Sequence, residues 1–240
     1  MERRAMIKAS RILFFVCLVL AGCADPGSSG RVPIDQVPMY GGMDRQSVPQ
    51  LKAADEQFIS GVTKEFGSRQ LASDVFVEYG IRLYRQDDLA TAMRRLNQAW
   101  LLNPKNPDVY WGFACVLYDQ GLGKMGQMKE MIDRALELGL SKPVALADVG
   151  RIYALCGEHD LSLDPAAKEL YFAKSEEFFQ RASASAPRDV YIHASWLDAY
   201  FRRGDYAACW RMVPKVRELG GAIPEASLKM LREKMPEPRN

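Results

Sequence analysis

The chain has 240 residues, 48% of them hydrophobic and 26% charged, ordinary globular material with room for one or two domains. Lys and Arg number 32 against 30 Asp and Glu, a net charge of +2; residues 1–22 supply +3 through Arg3, Arg4, Lys8 and Arg11 against Glu2, leaving the rest near −1. A near-neutral body without a basic block lacks a phosphate-neutralising footprint, which excludes nucleic acid as the expected partner.

The N-terminus runs from a cationic start, MERRAMIKASR, through the apolar ILFFVCLVLAG to Cys23. Its uncharged stretch from Ile12 to Ala24 is 13 residues, short of the roughly 20 that span a bilayer, so it reads as a cleaved export segment. Leu20-Ala21-Gly22-Cys23 resembles the bacterial lipobox, a resemblance confined to the first 23 residues. It implies that residues 1–22 leave as a signal peptide, Cys17 with them, and that the Cys23 sulfur carries diacylglycerol as part of a fatty-acylated lipoprotein N-terminus. Each buried CH₂ contributes about 0.8 kcal/mol and two acyl chains suffice for stable anchoring. Ala24, not Asp, follows the cysteine; by the enterobacterial sorting scheme this implies an outer-membrane lipoprotein facing the periplasm.

Residues 24–46 hold four Gly, three Pro and two Ser and show neither a helical nor a strand period. The expectation is a lipidated N-terminus and flexible tether over 23–46, with a root-mean-square span of roughly 25–30 Å. Met39-Tyr40 exceeds what a spacer requires and suits docking on the body or on a partner. From Ser47, a candidate cap, a helix is predicted to begin at Val48-Pro49 and end at Gly67, with Leu51, Phe58, Ile59, Val62 and Phe66 on one face. Its mixed charges favour a docking helix over a membrane-surface one, and 47–72 is read as an N-terminal capping segment.

Residues 73–106, SDVFVEYGIRLYRQDDLATAMRRLNQAWLLNPKN, make a unit of 34 that resembles a tetratricopeptide repeat: Gly80, Leu83, Ala92, Leu96, Ala99 and Pro104 stand at its signature positions. Ala114, Gly150 and Leu197 continue the Gly80 position at spacings of 34, 36 and 47, while Ala135, Ala182 and Val216 continue that of Ala99 at 36, 47 and 34. The two sets agree if about two extra residues lie between the helices of the second repeat, in GLGKMGQ, and about thirteen in the third, around GEHDLSLDPAAK. The resemblance implies an all-α fold, a right-handed solenoid of about four repeats over 73–221, closed by a capping helix and tail over 222–240.

The scaffold offers little chemistry. His159 and His193 fall in different repeats with no Cys or His at ligand spacing, and Glu158, His159, Asp160 and Asp164 lack the acidic alternation of an EF-hand. No nucleophile-elbow, metalloprotease or phosphate-cradling motif occurs, so neither an enzyme nor a cofactor is expected. Cys115, Cys156 and Cys209 are an odd set at no redox spacing, which reads as small buried helix residues.

Function then falls to surfaces. In the resembled family the first helix of each repeat lines a concave groove for a peptide or partner helix, which places Val77, Ile81, Tyr84, Arg85, Trp111, Cys115, Tyr118, Asp119, Ala147, Arg151, Asp198, Phe201 and Arg202 there. The partner-binding candidates are Arg85, Tyr84, Trp111, Tyr118, Asp119, Arg151, Phe201 and Arg202. Lipoproteins of this class assist pilus assembly, recruit periplasmic proteases or serve envelope-assembly complexes, implying an adaptor for a protein or peptide partner. Self-association into a homodimer, with the groove filled by a second copy or by the tether, is the alternative. An enzyme whose constellation spacing conceals is a remote third.

Overall fold

The computed structural model describes residues 32–238, and among them the regular structure is entirely helical, with no strand. The export segment, Cys23 and residues 24–31 lie outside the described residues. The described chain forms two compact units, 32–140 and 141–238. The first contains α1 (Pro49–Phe66), α2 (Arg69–Tyr84), α3 (Leu89–Leu102), α4 (Pro107–Asp119) and α5 (Met125–Glu137). The second contains α6 (Pro143–His159), α7 (Pro165–Ser185), α8 (Val190–Arg203), α9 (Tyr206–Glu218) and α10 (Glu225–Lys234).

Local chemistry explains the boundaries. Proline occupies the first turn of α1, α4, α6 and α7, where its missing N–H costs least. Ser68, Asp88, Asn106, Asp164, Asp189 and Asp205 accept backbone N–H groups at the starts of α2, α3, α4, α7, α8 and α9. The Thr91 amide holds the Asp88 carboxyl below the usual carboxylate range. Ser47, expected to cap α1, does not: its hydroxyl donates to the Asp44 carbonyl at 2.8 Å, and Val48 takes the cap position.

Within each unit, consecutive helices pack as hairpins: α2 with α3 and α4 with α5 in the first, α6 with α7 and α8 with α9 in the second. Leu96 of α3 is fully buried against α2, where Gly80 lets it approach. A Cβ on Gly80 would stand 2.8 Å from Leu96 Cγ and 3.4 Å from the Ala92 carbonyl oxygen. The second unit repeats this arrangement: a Cβ on Gly150 of α6 would stand 2.8 Å from Phe179 Cδ2 and 3.1 Å from the Ser175 carbonyl oxygen of α7.

The extra residues of the third hairpin do not form a long loop. They lengthen its helices, α6 to 17 residues and α7 to 21 against 14 and 13 for α8 and α9, with only 160–164 between them. Packing accounts for this: Tyr153 of α6 meets Tyr171 edge-on at 5.6 Å and stacks on Phe178 at 5.7 Å, both from α7.

The flanking helices differ in how firmly they dock. Leu51, Phe58, Ile59, Val62 and Phe66 of α1 are all only half-buried, and the Phe58 ring meets Phe76 of α2 edge-on at 5.6 Å. Leu228 and Leu231 of α10 are buried on Trp210, Val213 and Val216, a burial contributing about 1.5–3 kcal/mol per leucine. The Trp210 indole N–H donates to the Met235 carbonyl at 3.0 Å, fixing the end of α10.

Residues 34–47 depart from the flexible tether expected there. They fold into three short 3-10 turns that pack on α3 and α1 as a strap. Asn97 of α3, fully buried, accepts from the Tyr40 amide at 3.3 Å and donates to the Asp35 and Val37 carbonyls at 2.9 Å each. Arg45 donates twice to the buried Asp55 of α1, at 2.6 and 2.8 Å, and lies 4.1 Å over the Tyr40 ring. Met39 and Tyr40 are left-handed, φ 51° and 53°, ahead of Gly41 and Gly42, a conformation costing roughly 1–2 kcal/mol per non-glycine residue. Burial of Tyr40 and Pro38 and the Asn97 bonds offset that cost. Of the two roles the sequence offered Met39-Tyr40, the structure takes docking on the body.

Cys115, Cys156 and Cys209 are buried helix residues, none of them in a disulfide. Burial pushes the Cys209 thiol up to about 12 from an ordinary 9.0. A raised folded pKa stabilises the fold below the unfolded value, and that contribution fades as pH climbs from about 9 toward 12. Native protein at pH 8 should therefore leave Cys209 unalkylated by iodoacetamide while urea-unfolded chain reacts; mass spectrometry of the Cys209 peptide checks it, and rapid native labelling would contradict the burial.

Candidate binding surface

The expected groove positions separate into core and surface. On α2, Val77 and Ile81 are buried, and on α4 Trp111 and Cys115 are, Trp111 being 7% exposed. Trp111 is thus a packing residue, and of the two places the sequence allows it, groove or helix contact, it takes the second. What remains accessible gathers at the C-terminal ends of these helices: Tyr84 and Tyr118 half-buried, Arg85 and Asp119 exposed.

These ends lie side by side because α2 and α4 run parallel. Asn106, at the start of α4, donates to Ser73 at 3.0 Å and Asp74 at 2.8 Å in the first turns of α2. One level further along, Gly80 and Gly112 both face Leu96. Tyr84 and Arg85 close α2 and Tyr118 and Asp119 close α4, at positions 34 residues apart. Arg85 also sits at the C-cap of α2, where the carbonyl end of the helix favours a cation. Together these ends present two phenols, a cation and a carboxylate at the surface of the first unit.

In the second unit α6 and α8 are also parallel, and the candidate arginines are engaged there. Arg151 contacts Asp148 at 3.1 Å and donates to the Tyr191 hydroxyl at 2.9 Å, while Tyr191 donates to Asp148. Farther along, Arg202 lies 2.9 Å from Asp198 and 2.7 Å from Glu158. Three carboxylates answer two guanidiniums, so Arg151 and Arg202 bind their own unit. Phe201, half-buried, meets Tyr206 edge-on at 5.4 Å, and Ala147 is buried.

Of the residues joining α7 to α8, sequence reasoning marks Phe179 and Tyr200 as large packing positions and misses Trp196 and Glu176. Trp196 stacks between Phe179 at 5.7 Å and Tyr200 at 5.9 Å, and Glu176 accepts from the Trp196 indole at 2.9 Å and the Tyr200 hydroxyl at 3.2 Å. Burial, with the Glu176 carboxylate beside it, pushes Tyr200 up to about 12. The usable signal was the spacing Trp196–Tyr200, one helical turn, opposite Glu176–Phe179. The same holds for Asn97, a polar residue one turn after the buried Met93.

A shallow depression of about 470 Å³ lies on α5 between Met39, Tyr110, Lys129, Asp133 and Arg134, with much of its charge paired within α5. Among the described residues no helix is long and apolar enough to cross a membrane, and none of their His, Cys, Asp and Glu groups is arranged to hold a metal ion. Comparison with protein-family models, curated proteins and solved structures finds no match to this chain.

Proposed function

We propose that this protein is a lipid-anchored adaptor of the tetratricopeptide-repeat kind, carried on Cys23 at the outer membrane and facing the periplasm, which holds a protein or peptide partner and performs no chemistry. One observation carries the repeat reading. Gly80 meets the carbonyl of Ala92 and the side chain of Leu96, and Gly150 meets the carbonyl of Ser175 and the side chain of Phe179: the same close approach, on the same two positions one turn apart. An unrelated bundle has a 3.6-residue period but no need for matched small residues in hairpins as far apart as α2–α3 and α6–α7. The lipobox resemblance supplies the address.

The binding patch is Tyr84, Arg85, Tyr118 and Asp119, because aromatics and arginine commonly dominate interface energies and these remain accessible. Arg85→Ala and Tyr118→Ala should each weaken capture of the native envelope partner at least about tenfold. For Arg85→Ala, an exposed change, the melting temperature should hardly move, stability staying within about 0.5 kcal/mol. Affinity capture with quantitative proteomics from native membranes measures this. Normal capture by both variants, with losses only from substitutions on α3 or α5, would place the partner elsewhere.

A further inference from the structure

We infer that the strap presses the α1–α3 side of the first unit against the lipid bilayer, so that the folded body itself, and not only the acyl chains, contacts phospholipid. The inference rests on the Cys23 anchor proposed above. The first argument is reach. A chain released only at Ser47 would allow Cys23 a separation of up to about 80 Å from the body, at roughly 3.3–3.6 Å per residue. Docking of 34–47 through Asn97, Tyr40 and the Arg45–Asp55 pair moves the point of attachment to Ile34 and cuts that ceiling to about 40 Å, whatever conformation the intervening residues adopt.

The second argument is what the strap and the residues flanking it turn outward. Pro38 and Tyr40 point into the body, whereas Val32, Ile34, Met43 and Val48, within one 17-residue stretch, are 36–54% exposed. Four of the nine exposed large hydrophobics of the described chain therefore lie on the segment nearest the acylated residue. Apolar side chains there have a use if the neighbouring phase is the headgroup and acyl boundary, where each buried CH₂ contributes about 0.8 kcal/mol. Asp35 of the strap is paired with Arg94 at 2.7 Å and Asp55 of α1 with Arg45 at 2.6 Å, so these two tethering carboxylates are neutralised, while Asp44 accepts the Gln46 amide.

The test uses the full mature chain in vesicles of phosphatidylethanolamine and phosphatidylglycerol carrying a headgroup nitroxide lipid. A fluorophore on Lys52→Cys, in the first turns of α1, reports proximity; Cys115, Cys156 and Cys209 are buried and stay unlabelled. Quenching should be at least about twofold stronger in the wild-type strap than in Arg45→Gln/Asn97→Ala, which releases it. The variant Val32→Ser/Ile34→Ser/Met43→Ser, whose changes lie on exposed side chains, should lose quenching as well without loss of helicity. Equal quenching in all three, or none in the wild type, overturns the inference. Incorporation of a fatty-acid analogue separates the two readings: an unlabelled wild type, or equal labelling of Cys23→Ser, defeats the anchor and this inference together, whereas Cys23-dependent labelling without quenching defeats this inference alone.

Discussion

Gly80→Leu is expected to be among the most damaging single substitutions in this protein, and the reason separates packing from propensity. In an open helix, replacing glycine by alanine stabilises by about 0.5–1 kcal/mol because less backbone entropy is lost. Gly61 of α1, with nothing within 4 Å of its would-be Cβ, should show that gain. Gly80 should show the reverse. Its Cβ would stand 2.8 Å from the branch carbon of Leu96, which cannot withdraw because Gly112 of α4 closes on the same side chain from another direction. Gly80→Ala should therefore cost roughly 1–3 kcal/mol net, and Gly80→Leu more, enough to unfold the first unit if its stability is ordinary. Gly80→Ala combined with Leu96→Ala should recover part of the loss, a coupling of roughly 0.5–3 kcal/mol in a double-mutant cycle. Urea unfolding followed by circular dichroism measures these variants, with Leu96→Ala alone completing the cycle, and an unchanged midpoint for Gly80→Leu would contradict the packing described.

These close approaches are also where the sequence was most legible, because a small residue in a helix facing a large one leaves a local trace. Pro49 and Gly67 mark α1 to within a residue of its observed ends for the same reason. Legibility fails where the decisive partner is distant in the chain. Residues 34–47 look like a linker because 3-10 turns rich in Pro and Gly have no long period, and what orders them is Asn97, 57 residues beyond Tyr40. The choice for Trp111 between groove and helix contact lay beyond the sequence for the same reason: periodicity places it on a helix face, but what covers that face is a tertiary fact. The third hairpin shows an intermediate case, its extra residues correctly counted but read as a connection when Asp164 and Pro165 start a helix among them.

Arg202→Ala is the second large effect expected, and it distinguishes an internal strut from a binding residue. Arg202 and Asp198 are 12% and 7% exposed at the side chain and 2.9 Å apart one helical turn along α8, and Arg202 also reaches Glu158 of α6 at 2.7 Å. Removing the guanidinium leaves Asp198 buried without this partner and frees the C-terminal end of α6 from α8. A buried pair broken on one side costs about 3 kcal/mol, which lowers the melting temperature of a domain this size by on the order of 10 °C. If the cost comes from the stranded charge, Arg202→Ala/Asp198→Asn should be more stable than Arg202→Ala alone, since a neutral amide is less costly to bury than an unpaired carboxylate. Arg85→Ala, by contrast, removes an exposed cation and should leave melting almost unchanged while reducing partner capture. Thermal unfolding of the three variants beside partner capture decides the matter: if Arg202→Ala melts like the wild type yet loses the partner, Arg202 belongs to the binding surface and the ion pairs between α6 and α8 are dispensable.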